Sequence, residues 1–216
     1  MSQRVFIFVN GILARPGDHD GWTDRAVTWT HCRSFHRAEK WEYAASALTR
    51  RFGQQERAEK IATMMGYYER AGYEIVLVGH SNGCDIIARV LALRGQQPWY
   101  FKQRVRSAHL FSPAADAPDF LRALEERDVA RLATYTAGRD QALRLGKVSR
   151  TLFGWAGLGY GTAGLAARPI DDPRVLSFHE GDFSHSTWWE KGARFEQTMQ
   201  QLHRTDDLLE PLNAAA

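Results

Sequence analysis

Two kinds of periodicity alternate along the chain. Val5 to Val9 is an unbroken apolar run closed by Asn10-Gly11, and Ile75 to Val78 is a second, β-branched run inside Glu74 to Asp85 (EIVLVGHSNGCD). Runs this continuous suit central parallel strands buried on both faces rather than half-exposed ones. Arg106 to Ser112, Arg131 to Ala137 and Arg174 to Phe178 predict three further strands, and Ala26 to His31 (AVTWTH) predicts a short one. Between these the spacing becomes helical. Ala38 to Phe52 places Trp41, Ala44, Ala45 and Leu48 on one face, and Gln55 to Ala71 does the same with Ile61, Met64, Met65 and Tyr68 before Gly72 ends it. Ile86, Ile87, Val90 and Leu91 share a face after the second apolar run, with Gly95 as a stop. Pro113 and Pro118 lead into a helix containing Phe120, Leu121 and Leu124, and Ser186 to His203 aligns Trp188, Phe195, Met199 and Leu202. Strands alternating with helices predict an α/β fold, a mostly parallel central sheet flanked by helices on both faces. Sites in such sheets lie beyond the carboxyl ends of the strands.

One strand end carries candidate chemistry. Gly79-His80-Ser81-Asn82-Gly83 is a G-x-S-x-G sequence set between the strand Ile75–Val78 and the helix that follows, the context in which such a serine is lifted above the sheet on a sharp turn. The two glycines have a steric task, because side chains there would collide where strand and helix cross. A serine hydroxyl needs a base to take its proton, usually a histidine oriented by a carboxylate. Asp140 follows the predicted strand RLATYTA, and His185 follows RVLSF within Asp182-Phe183-Ser184-His185. Asp116 and Asp119 are rival carboxylates, and His179 and His80 are rival histidines. His179 sits at a strand end and His80 beneath the turn.

The order Ser81, Asp140, His185 and the turn at Asn10-Gly11-Ile12 resemble a small α/β-hydrolase of the lipase and esterase type over most of the chain, from Val5 to the terminal helix. The resemblance implies Ser81 as nucleophile, His185 as general base then acid, and Asp140 as the orienting acid. It also implies an oxyanion hole from the N–H of Asn82 and that of Ile12 or Gly11. Lipase-like members often carry His-Gly where this chain has Asn10-Gly11. The expected activity is cleavage of a carboxylic ester through an acyl-enzyme. A thioesterase, amidase or peptidase would use the same machinery, and a binding protein could retain the fold without turnover. The glycine-rich segment Phe153 to Leu165 (FGWAGLGYGTAGL) offers Trp155, Leu158 and Tyr160 as walls for an ester or lipid-like substrate, or else is a close-packed connection.

Composition narrows the alternatives. With 216 residues and 44% hydrophobic content, one domain over residues 1–204 is expected, with a loosely ordered tail over 205–216. The formal charge of +3 is spread rather than striped, and Arg50, Arg51 and Arg57 are interleaved with Glu56 and Glu59 as on a solvated helix face, so nucleic acid is not implied. The N-terminal apolar run, VFIFV, is too short for a signal-peptide core or a membrane span, which makes the cytoplasm the expected location. Two cysteines, Cys32 and Cys84, make a disulfide framework improbable, Cys84 reading as a small buried thiol. No metal or cofactor is expected. His179 and His185 lack helical metal-ligand spacing, Asp18-His19-Asp20 reads as a polar loop, and Gly157-Leu158-Gly159-Tyr160-Gly161 lacks the strand that a phosphate-binding loop follows.

Overall fold

Alternation within the first apolar run sends Val5, Ile7 and Val9 to one side of a sheet and Phe6 and Phe8 to the other, and both sides are buried. The structure, a computed structural model, describes residues 3–11, 21–43, 53–96, 104–145 and 172–208. Six strands form the sheet: β1 (Arg4–Val9), β2 (Arg37–Trp41), β3 (Glu74–His80), β4 (Val105–Phe111), β5 (Val129–Ala137) and β6 (Val175–Glu180). Their order is β2-β1-β3-β4-β5-β6 and every neighbouring pair is parallel.

Helices cover both faces. On one, α2 (Gln54–Arg70), α3 (Asn82–Gln96) and α4 (Ala117–Glu125) pack Ile61, Met65, Ile87, Leu91, Phe120 and Leu124 against Ile7, Leu77 and Leu110. On the other, α1 (Trp22–Arg33) and α5 (Ala193–Leu208) pack Trp22, Ala26, Phe195, Met199 and Leu202 against Phe6, Phe8, Val76, Phe111 and Tyr135. Each such fully buried large side chain contributes roughly 1.5–3 kcal/mol of transfer free energy. Among the described residues no helix is long and apolar enough to cross a membrane.

Three expectations from the pattern are corrected. Ala26 to His31 is not a strand but the middle of α1, because Trp22, Ala26 and Thr30 recur at a helical interval and are buried together. Burial of that stripe outweighs the β propensity of Val27, Thr28 and Trp29. The helix expected from Ala38 is strand β2 as far as Trp41, since the outer edge of β1 takes it up in register from Val5↔Arg37 to Val9↔Trp41. Its charged Arg37, Glu39 and Lys40 suit a sheet edge; the remainder of that expected helix, residues 44–52, lies outside the described residues. Finally, the terminal helix is split. A 3-10 turn, Thr187–Trp189, holds Trp188, and α5 starts at Ala193 after Gly192 with φ 89°.

The tail expected from residue 205 is helical as far as Leu208, with Thr205 and Asp206 buried. Asp206 explains why. Its carboxylate accepts from Arg4 at 2.9 Å, from Ser107 and from Arg106, fastening the end of α5 beneath β1 and β4. Burial alone would raise its pKa, but nearby His109, the Ser107 hydroxyl and Arg106 together hold it well below the ordinary carboxylate range.

Candidate active site

β3 ends at His80 and α3 begins at Asn82, leaving Ser81 alone to make the turn at φ 55°. A left-handed conformation costs an L-residue about 1–2 kcal/mol, and persists where the surroundings over-determine it. Here they do: the Ser81 N–H donates to Phe111 O at 3.0 Å, and Ser81 O accepts from the N–H groups of Cys84 and Ala114, each at 3.1 Å. A Cβ on Gly83 would stand 2.3 Å from Val9 O, and one on Gly79 would stand 2.8 Å from Ile87 Cδ1. These glycines let α3 start against the end of β1. Cys84, at the base of the turn, is buried, which pushes its thiol well above the ordinary value and keeps it protonated.

Asp140 and His185 come from two later strand ends on the same side of the sheet, after β5 and after β6, with β4 between them and β3. Their loops are laced together by Gly138 N–H to Glu180 O at 2.8 Å and Arg139 N–H to Phe183 O at 2.9 Å. The Asp140 carboxylate is fully buried and faces Nδ1 of His185, at 2.8 Å from Oδ2 and 3.0 Å from Oδ1. It also accepts the Leu143 N–H at 3.0 Å, capping the helical residues 141–145. Capping and pairing with a histidine are therefore compatible roles of one carboxylate rather than alternatives. An Nδ1–H donated to a carboxylate leaves Nε2 with its lone pair, the protonation state that a proton acceptor needs.

His80 brings this pair to the turn. Its Nε2 lies 2.9 Å from His185 O, and the two imidazole rings are 4.9 Å apart. Ser81 is the next residue along the backbone. Of the other rivals, Asp116 precedes α4 and Asp119 is in its first turn, while His179, exposed on β6, bonds Thr136 Oγ1 through Nδ1 at 3.0 Å.

The residues expected to form an oxyanion hole fare differently. Asn82 is the first residue of α3, and its side-chain Nδ2 donates to Tyr43 O–H at 2.8 Å. Burial pushes the Tyr43 phenol up to about 12, and the Arg57 guanidinium covers its ring at 4.4 Å, so Arg57 is not simply solvated as its mixed-charge neighbourhood suggested. Gly11 packs against Ser81, where a Cβ would stand 2.9 Å from Ser81 Cβ. Its N–H, however, donates to Asn10 Oδ1 at 2.8 Å, and Trp22 Nε1 donates to the same oxygen at 2.6 Å. In this structure the Gly11 N–H is therefore engaged by Asn10, and the absence of a side chain lets Gly11 lie against Ser81. Ile12, Trp155, Leu158 and Tyr160 lie outside the described residues.

Trp22, Tyr43 and Trp189 beside the site carried no signal in the sequence, whereas His80 was weighed only as a rival base and Asn10 only as part of the turn. The Trp22 and Trp189 rings stack 4.0 Å apart, both edge-on to His80. Only the position of His80 inside the motif, and of Asn10 at a strand end, signalled anything in advance.

No protein-family model and no curated protein matches the sequence. Solved structures do match. The chain is similar to alpha/beta hydrolase domain-containing protein 10 from mouse, with a TM-score of 0.58 and 15% identity over 95% of this chain and 90% of that one. It is similar to an esterase of Pyrobaculum calidifontis, with a TM-score of 0.59 and 12% identity over 97% and 78%. A third is carboxyl esterase 2 of the mycorrhizal fungus Tuber melanosporum, with a TM-score of 0.59 and 11% identity over 96% and 77%. The chain has the α/β-hydrolase fold.

Proposed function

We propose that this protein is a serine hydrolase that cleaves carboxylic esters through an acyl-enzyme on Ser81. The observation that carries the reading is the buried Asp140 bonded to Nδ1 of His185, with His185 in turn tied to the residue preceding a strained serine. In the first half-reaction Ser81 Oγ attacks the carbonyl carbon while Nε2 of His185 takes the hydroxyl proton. Asp140 steadies the imidazolium that forms, and the tetrahedral oxyanion meets the N–H groups of Asn82 and Ile12. Each such donor is typically worth 10² to 10³ in turnover. Breakage of the C–O bond releases the alcohol, which leaves with the proton from His185. Water, deprotonated by the same imidazole, then attacks the acyl carbon, the Ser81 Oγ–C bond breaks as His185 returns the proton to Oγ, and the carboxylic acid is released. In this reading Trp155, Leu158 and Tyr160 line the acyl pocket, no metal or cofactor takes part, and the catalytic unit is a single domain.

A fluorophosphonate probe tests the first step, since Ser81 Oγ forms a bond to phosphorus as fluoride leaves. Wild-type protein is expected to be labelled, and Ser81→Ala is not. A folded wild type that stays unlabelled would overturn the reading in favour of a binding protein on the same fold. A panel of p-nitrophenyl esters, thioesters and anilides of graded acyl length then separates an esterase from a thioesterase, amidase or peptidase.

A further inference from the structure

The proposed chemistry leaves one group of the site without a task. His80 is buried at the end of β3, walled by Trp22 with ring centroids 6.1 Å away and by Trp189 at 6.3 Å, both edge to face. A carbonyl oxygen only accepts hydrogen bonds, so the 2.9 Å contact between His80 Nε2 and His185 O assigns the proton to Nε2, which donates. Burial above all, and then the nearby His185, lower the His80 pKa to about 3, so the ring is neutral at neutral pH. His185 and Asp140 are the titratable groups acting on it.

We propose that His80 is a positioning residue: its Nε2–H, held by the main-chain carbonyl of His185, sets the place of the His185 imidazole relative to Ser81. The proposal rests on the serine-hydrolase reading above. The reason for such a tether lies in where His185 comes from. It follows β6, an edge strand on which Leu176, Ser177, His179 and Glu180 are all exposed. Asp140 fixes the rotation of the imidazole by binding Nδ1, and the backbone bonds Gly138–Glu180 and Arg139–Phe183 join the two loops to each other, but none of these ties the His185 loop to the strand that bears Ser81. β3, by contrast, is central and buried over Ile75 to His80. His80 refers His185 to the strand that ends in Ser81, through one peptide bond on one side and one hydrogen bond on the other. Misplacement of a reacting group by about 1 Å can cost 10²-fold in rate, so a tether of this kind governs turnover without touching substrate.

The test compares His80→Phe, which keeps a ring and loses the donor, with His80→Gln, whose amide N–H reaches a similar point. If the Phe variant fails to fold by circular dichroism, His80→Asn, one methylene too short, takes its place. Two independent readouts are the pH dependence of fluorophosphonate labelling and the proton NMR signals of His185, namely its Nδ1–H resonance and its titration midpoint. Loss of the donor is expected to slow labelling by roughly 10- to 100-fold, lower kcat on a p-nitrophenyl ester with little change in KM, shift the His185 midpoint and broaden the Nδ1–H signal. His80→Gln should restore most of each. Wild-type labelling and an unshifted His185 in a folded His80→Phe would overturn the tether and leave the serine-hydrolase reading standing, as would Gln behaving like Phe. An unlabelled wild type whose His185 signals still depend on the His80 donor would overturn the hydrolase reading and uphold the tether.

Discussion

Gly138 lies against Gly181 so closely that a Cβ on Gly138 would stand 2.4 Å from Gly181 O and 2.8 Å from Gly181 Cα. The loops that deliver Asp140 and His185 therefore touch backbone to backbone just before each functional side chain. Gly138→Ala is expected to wedge them apart, lengthening the Asp140–His185 bond and lowering kcat/KM by roughly 10²-fold. Wild-type kinetics in a folded Gly138→Ala would show that the contact is incidental.

Asp140 both caps residues 141–145 and orients His185, and two substitutions separate these roles. Asn retains a capping oxygen but presents a donor or a neutral acceptor to Nδ1, so Asp140→Asn should fold normally while turnover falls by roughly 10⁴, by analogy with the serine-protease acid. Asp140→Ala should add a loss of about 1 kcal/mol in stability from the missing cap. Near-wild-type activity of Asp140→Asn would move the acid role to another carboxylate.

Ser81 is held at φ 55°, a conformation in which glycine is unstrained. Ser81→Gly should abolish activity and raise stability by about 0.5–1 kcal/mol, the relief of strain being partly offset by the greater freedom of glycine in the unfolded chain. Ser81→Ala should be equally inactive without that gain. Urea unfolding of the three proteins decides it, and a Gly variant less stable than the Ala variant would refute the strain.

Acid stability divides into two windows. His80 has its pKa lowered to about 3 and His203 to about 4, both from an ordinary 6.5 and both chiefly through burial. The unfolded chain binds those protons more readily, so the contribution is complete above pH 6.5 and is lost as the pH falls toward the folded values. The slope is about 1.4 kcal/mol per pH unit for each histidine. Asp206 lies below its ordinary 3.8, so its contribution persists above that value and disappears below it. Urea unfolding at pH 7.5, 5.5 and 4.5 should show the first decline, and His203→Phe should make it shallower. An equal free energy at all three pH values would contradict the buried neutral histidines.

Glu74 to Asp85 could be understood from local pattern alone, because a doubly buried strand, a glycine-flanked turn and an amphipathic helix each leave a contiguous signature. The strands ending near Asp140 and His185 were legible for the same reason. Ala26 to His31 and Ala38 to Trp41 were not. In α1 a six-residue window is too short to distinguish period 2 from period 3.6, and the buried stripe begins earlier, at Trp22. In β2 the deciding partner, the edge of β1, lies about thirty residues away in sequence.

The chain's own order of apolar runs and turns determined an α/β architecture with Ser81, Asp140 and His185 at three strand ends, because burial periodicity and turn chemistry act over a few neighbouring residues. Only the folded arrangement decided that Trp22 would engage Asn10, that Asp206 would anchor α5, and that His80 would reach His185 O. Such bonds join residues up to two hundred positions apart, and their existence depends on ångström-scale packing of separate elements, for which no local pattern carries a signal.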